Sequence, residues 1–306
     1  MAVYALAFIA FAIDLSRRGV AVETAERAAK KQAAAAAEAS GNVLVKTAAP
    51  ATAVEYRDTR VMRVGVALTV IAWVLHFGAD ILRGIAASRV PWANMYEFAM
   101  TGTLLIVSVF LSVVFFSKYE LRYLGTFITG LVLLFLGVAT VNFYVSVAPL
   151  PPALQSAWLV IHVFVATSAT GFFALGFALS VLQLLQARRE SRGTGIRFLG
   201  TLPNGDTLEN FAYRVNIVGF ILWTFTLMAG AIWAERAWGR YWGWDTKEVW
   251  TFIIWVVYAG YIHARATRGW RGSRASWLAI VGFSAVIFNF TIVNLFFKGL
   301  HAYSGL

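Results

Sequence analysis

Ala99-Met-Thr-Gly-Thr-Leu-Leu-Ile-Val-Ser-Val-Phe-Leu-Ser-Val-Val-Phe-Phe116 runs for 18 residues without a charge, and its reading decides the fold. A helix rises about 1.5 Å per residue, so this run covers most of the roughly 30 Å of hydrocarbon in a bilayer. It is the heart of an apolar segment at 92–116, and similar segments lie on either side of it. They fall at 1–13, 62–82, 123–148, 157–186, 212–233, 248–267 and 275–297. The pattern predicts an all-α fold, a polytopic membrane helix bundle of about eight transmembrane helices. Composition agrees: of 306 residues 59% are hydrophobic and 13% charged, whereas soluble domains carry about 25% charged residues.

The segment at 1–13 is short and lacks the basic start of a signal peptide, so it is expected to be an uncleaved first span. Residues 14–60, Ala-rich with mixed charges, are expected to form a solvated cytoplasmic helix and a linker. The remainder, 61–306, is expected to be one transmembrane domain with an external loop at 233–250. Orientation comes from charge. With 14–63 inside, the inner loops hold 20 of the 26 Lys and Arg residues and the outer side holds six: Arg83, Arg89, Arg236, Arg240, Lys247 and Lys298. The positive-inside rule then places the 83–91, 149–156 and 234–247 loops and the C-terminal tail outside. The net charge of +11 is therefore a matter of membrane sidedness, and no nucleic acid is expected as a partner.

The chain has no cysteine, which excludes disulfides, thiolate metal sites and an internal thiol relay. It also lacks a dinucleotide loop, a phosphate loop and a nucleophile elbow. Its four histidines are His76, His162, His263 and His301, each in or beside an apolar segment. Polar groups at membrane depth are costly, so each is a candidate functional group, although a membrane histidine also serves as a helix-to-helix hydrogen-bonding group. His162 and His301 fall near the external surface, and His76 and His263 lie within spans. Two imidazoles facing each other across helices can supply both axial ligands of a haem iron.

The second cluster is Trp233-Ala-Glu-Arg-Ala-Trp238-Gly-Arg240-Tyr241-Trp242-Gly-Trp244-Asp245-Thr-Lys247-Glu248-Val-Trp250, with five tryptophans in 18 residues. An aromatic belt would spread such residues over many helix ends. Packed into one loop, they read as a platform that stacks on a flat, mostly apolar macrocycle, with Trp238, Tyr241, Trp242 and Trp244 as its faces. Arg236, Arg240 and Lys247 are then placed to meet carboxylates. Asp245-x-x-Glu248 and Asn94-x-x-Glu97 both precede apolar runs and read as capping boxes. Trp92 and Tyr96 are candidates for an extra wall of the external site.

Tyr241-Trp-Gly-Trp-Asp-Thr-Lys-Glu248 resembles the tryptophan-rich "WWD" signature of the haem-handling protein family. Trp158-Leu-Val-Ile-His162, Tyr261-Ile-His263-Ala-Arg-Ala and Leu300-His301-Ala-Tyr303 resemble histidine contexts of its CcsA/ResC branch, over roughly residues 62–306. Thr246 departs from the proline usual there, which weakens a cap without removing it. The resemblance implies a subunit of the system II cytochrome c synthase in a bacterial plasma or thylakoid membrane, working with a ResB/CcsB-type membrane subunit. By that analogy haem b, bound noncovalently, is held first by His76 and His263. It is then held outside by His162 and His301, with Asp245 and the tryptophan loop around it. Apocytochrome c offers a Cys-x-x-Cys-His segment to the vinyl groups, and a thioredoxin-like reductant keeps its thiols reduced. A haem exporter delivering to a chaperone and a b-type electron-transfer cytochrome are the alternative readings.

The charge asymmetry makes a direct prediction. Because the chain has no thiol of its own, the single cysteine of an Arg240→Cys variant should react with an impermeant thiol reagent in intact cells. Labelling only after lysis would overturn the orientation.

Overall fold

The computed structural model describes residues 1–40, 59–116, 120–147, 150, 154–193, 195–267, 269–297 and 299–301. Eight long helices follow in order: α1 (Ala2–Ser40), α2 (Arg60–Ala87), α3 (Met95–Phe116), α4 (Gly125–Asn142), α5 (Ala157–Arg192), α6 (Gly205–Trp238), α7 (Thr246–Thr267) and α8 (Ser273–Phe288). The last continues through a π turn at Asn289–Val293 into a short α9 (Asn294–Phe296). No strand occurs among the described residues. The chain is a multi-pass membrane protein, and a polytopic helical bundle is the expected fold class.

Helix ends follow local chemistry. Thr59, Ser156 and Asn204 cap α2, α5 and α6 by accepting from the backbone N–H of Met62, Trp158 and Thr207, which satisfies donors left over at a helix start. Gly193 and Gly239 end α5 and α6 at φ of 65° and 71°, the left-handed region where a Cβ would clash.

Among the described residues, six helices are long and apolar enough to cross a membrane: α2, α3, α5, α6, α4 with its preceding turn, and α8 with its continuation. The expected number was about eight. The other two long helices, α1 and α7, fall short of that criterion because charged and polar residues dilute their aliphatic runs: Asp14, Arg17 and Arg18 in α1, and Lys247, Glu248, His263 and Arg265 in α7.

Residue 13 is not a structural boundary, since α1 runs through it unbroken. Its apolar half buries Tyr4, Ala7, Ala10 and Phe11 against α2 and α4. The charged stretch after it is not simply solvated. Asp14 and Arg18 are each 3% exposed and form an ion pair at 2.8 Å, and Thr59 at the start of α2 donates to Asp14. Residues 41–58 of the helix and linker expected over 14–60, together with Lys298 and Tyr303, lie outside the described residues.

The central element is α5, which packs on α3, α6 and α8. Small residues set these approaches: a Cβ on Gly219 of α6 would meet the Phe173 ring of α5 at 2.7 Å. Close backbone contact of this kind drives helix association where lipid removes the hydrophobic force. Phe173 in turn stacks on Tyr258 of α7, with ring centroids 3.7 Å apart.

At the predicted external end the Asn94–Glu97 capping box is present: Glu97 N–H donates to Asn94 Oδ1 at 2.9 Å, and Ala93 N–H donates to the Glu97 carboxylate at 2.9 Å. That fully buried carboxylate also accepts from Arg83 at 3.0 Å and Arg89 at 2.7 Å. One side chain therefore ties the ends of α2 and α3 and the loop between them. Replacing Glu97 with alanine removes the carboxylate shared by two half-buried guanidinium groups, and should cost about 3 kcal/mol, read as a lower unfolding midpoint in detergent.

Candidate ligand cavity

A cavity of about 230 Å³ opens among α3, α5, α6, α7 and the chain's end, and both His162 and His301 line it. One water needs roughly 15 Å³ on this measure, so the space suits an organic ligand. Most of its wall is apolar, as ligand pockets are.

His162 lies two turns into α5. Its Nδ1 is 3.0 Å from the Thr226 carbonyl of α6, an acceptor that fixes the proton on Nδ1 and leaves the Nε2 lone pair for a ligand. This contact requires a glycine one turn further along α6, because a Cβ on Gly230 would meet His162 Cε1 at 2.7 Å.

His301 is held in the same chemical manner from the opposite end of the chain. Its Nδ1 lies 2.7 Å from Asp245 Oδ2, and the Leu300 N–H donates to Asp245 Oδ1 at 3.2 Å. The hydrogen bond from His301 holds the Asp245 carboxyl below the ordinary carboxylate range, so it is an anion at neutral pH. Asp245 is therefore more than the expected cap. Glu248 supplies the reciprocal half of the capping box: its Oε2 accepts from the N–H of Asp245 at 3.0 Å and of Gly243 at 2.8 Å.

Trp233, 2% exposed, touches both histidines: its ring is stacked 5.8 Å from His162 and edge-on 5.4 Å from His301. Trp238 packs on both Trp233 and His301.

The loop residues named from sequence divide. Tyr241 and Trp242 line the cavity, and Trp238 buttresses His301. Trp244 instead turns outward, 72% exposed, at a φ of 58° that only a well-supported non-glycine residue holds. Of the three candidate cations Lys247 lines the cavity, Arg236 is exposed, and the Arg240 guanidinium lies against Gly243. Trp92 lines the cavity and donates to Thr101 at 3.0 Å, whereas Tyr96 packs against Tyr144.

His76 and His263 are not brought together in this way. His76 is 8% exposed on α2, 3.3 Å from the Tyr4 hydroxyl of α1. His263 lies on an exposed face of α7. The main packing partners of α2 are α1, α3 and α4, and those of α7 are α6 and α8.

Sequence reading passed over Thr226 and Gly230 and took Trp233 only as the first tryptophan of the loop cluster. Their signal was the helical spacing i, i+4, i+7, which puts all three on the face of α6 that meets His162.

No group of three or more His, Asp or Glu side chains is placed to hold a bare metal ion among the described residues. Two imidazoles that line one broad apolar cavity, each with its Nδ1 engaged by an oxygen, suit an iron whose remaining ligands come from a macrocycle.

Comparison with known proteins assigns a family. The family model described as "Cytochrome C assembly protein" matches residues 92–301, a span that begins at Trp92 of the cavity wall and ends at His301. The chain therefore belongs to the cytochrome C assembly protein family. It is similar to the cytochrome c biogenesis protein CcsA of Guillardia theta, 34% identical over 244 residues covering 73% of this chain and 80% of that protein. It is likewise similar to CcsA of Trieres chinensis, 32% identical with 80% and 87% covered. CcsA of Parasynechococcus marenigrum strain WH8102 is 38% identical over 179 residues, with 52% and 59% covered.

Proposed function

We propose that this cytochrome c biogenesis protein holds haem b noncovalently between Nε2 of His162 and Nε2 of His301 and presents it on the outer membrane face for covalent attachment to apocytochrome c. The observation that carries this reading is the matched preparation of the two histidines. Each has its Nδ1 tied to an oxygen, at 3.0 Å and 2.7 Å, and both meet Trp233 on one cavity.

The attachment adds a cysteine S–H across a haem vinyl group. Sulfur bonds to the vinyl carbon next to the ring and the hydrogen goes to the terminal carbon, with no net oxidation. Such a step needs the reactants held in register more than it needs a protein nucleophile, and orientation alone supplies several kcal/mol. That suits a cavity with no cysteine and no catalytic triad. Cys-x-x-Cys-His of apocytochrome c then approaches over the Trp242–Trp244 loop. A thioredoxin-like reductant keeps its thiols reduced, and a ResB/CcsB-type subunit completes the synthase. The external placement rests on the charge asymmetry of the loops. The proposal rests on the His162 and His301 pair alone, because His76 and His263 are on helices with different neighbours.

Two variants test it. Asp245→Ala releases His301 and should weaken haem binding about 10–100-fold, the usual effect of removing a ligand's hydrogen-bonding partner. His301→Ala should convert a bis-histidine absorbance spectrum into one that added imidazole partly restores. Purified protein that binds no haem, or spectra indifferent to both substitutions, would reject the assignment.

A further inference from the structure

One stretch of the cavity wall is polar, which the face of an apolar ring does not require. It is built from the first two turns of α7, with Lys247, Glu248 and Thr251, and from the π turn and α9, with Asn289 and Asn294; all five line the cavity. The π turn carries Asn289 one residue before Phe290, and such insertions often mark functional sites. Lys247 Nζ donates to Asn294 Oδ1, a neutral partner, and Asn289 Nδ2 donates to Thr251 Oγ1 at 3.3 Å. Among the described residues, Glu248 Oε1 and Asn289 Oδ1 have no hydrogen-bond partner, though their residues are only 7% and 6% exposed. An amine at the start of α7 also sits where the helix dipole favours negative charge.

We infer that this wall is a carboxyl-binding subsite, in which Lys247, steadied by Asn294, pairs with one ionised carboxylate of a tetrapyrrole ligand. Glu248 and Asn289 accept a hydrogen bond from its second carboxyl group in the protonated form. The inference rests on the proposed haem site and adds an in-plane orientation to it. In protoporphyrin the two carboxyl side chains share one half of the ring and the vinyl groups the other. Holding the acid edge against α7 and the π turn therefore directs the vinyl edge away from that wall. Axial histidines alone leave rotation about the His–Fe–His axis undetermined, and a reaction confined to the vinyl groups needs it set.

The test compares iron protoporphyrin IX with its dimethyl ester, which has the same ring, iron and vinyl groups but no acid. Both are titrated into the full-length protein in detergent and followed by their absorbance. The wild type should bind the diacid about tenfold or more tighter than the diester, as expected for a hydrogen bond to a charged group. Lys247→Met should remove this preference by weakening the diacid alone, and Lys247→Arg should keep most of it. Equal binding of the two porphyrins by the wild type overturns the inference without any variant. So does a Lys247→Met variant that loses affinity for both in equal measure. If neither porphyrin binds the wild type, the haem site itself fails, an outcome separate from loss of carboxyl discrimination.

Discussion

Hydrocarbon offers no partner to a backbone N–H or C=O, so wherever this chain crosses the membrane its backbone must satisfy itself as helix. The constraint also decides where irregular backbone is permitted. The 239–245 loop, the π turn at Asn289–Val293 and the approach to His301 are gathered at one end of the bundle, and all contribute to one cavity. The regular helices below them act as a frame. Within that frame α5 supplies His162, and α6 supplies the carbonyl, the glycine and the tryptophan that hold its ring.

The second requirement is that a histidine near the chain's end be positioned as firmly as one inside a helix. Asp245 meets it by joining two distant parts of the chain. Its carboxylate takes the His301 imidazole and the Leu300 N–H at once, from a residue whose own backbone begins α7. Glu248 fixes that beginning through two backbone N–H groups. The short motif Trp244-Asp-Thr-Lys-Glu248 thus does several jobs that its sequence shows only as one. It starts a helix, orients a distant imidazole and places an amine in the cavity wall. The same economy appears at Glu97, which caps α3 and neutralises Arg83 and Arg89.

Much of this was legible in advance, because its causes are local. Apolar runs, caps and charge bias are properties of neighbouring residues, and the tryptophan loop with its Asp and Glu is contiguous. Other features were not local. That Trp244 faces outward while Trp233 is buried against both histidines follows from how α5, α6 and the tail meet. So does the selection of Lys247 over Arg236 and Arg240 as the cavity's cation. The pairing expected of His76 with His263 came from the family resemblance, which does not say which helices of this chain are neighbours.

By itself, then, the sequence determined a membrane bundle, the charge asymmetry of its loops, the lack of any thiol chemistry of its own, and the tryptophan loop and histidines as candidate groups. Each of these depends on hydrophobicity, charge or composition summed along the chain. Only the tertiary structure decided that one cavity takes in His162 and His301 while His76 and His263 stand apart, which ring nitrogens are engaged, and which side chains surround them. Those outcomes depend on helix packing between residues far apart in sequence, such as Thr226 with His162 and Asp245 with His301, where a single glycine or carboxylate sets the approach.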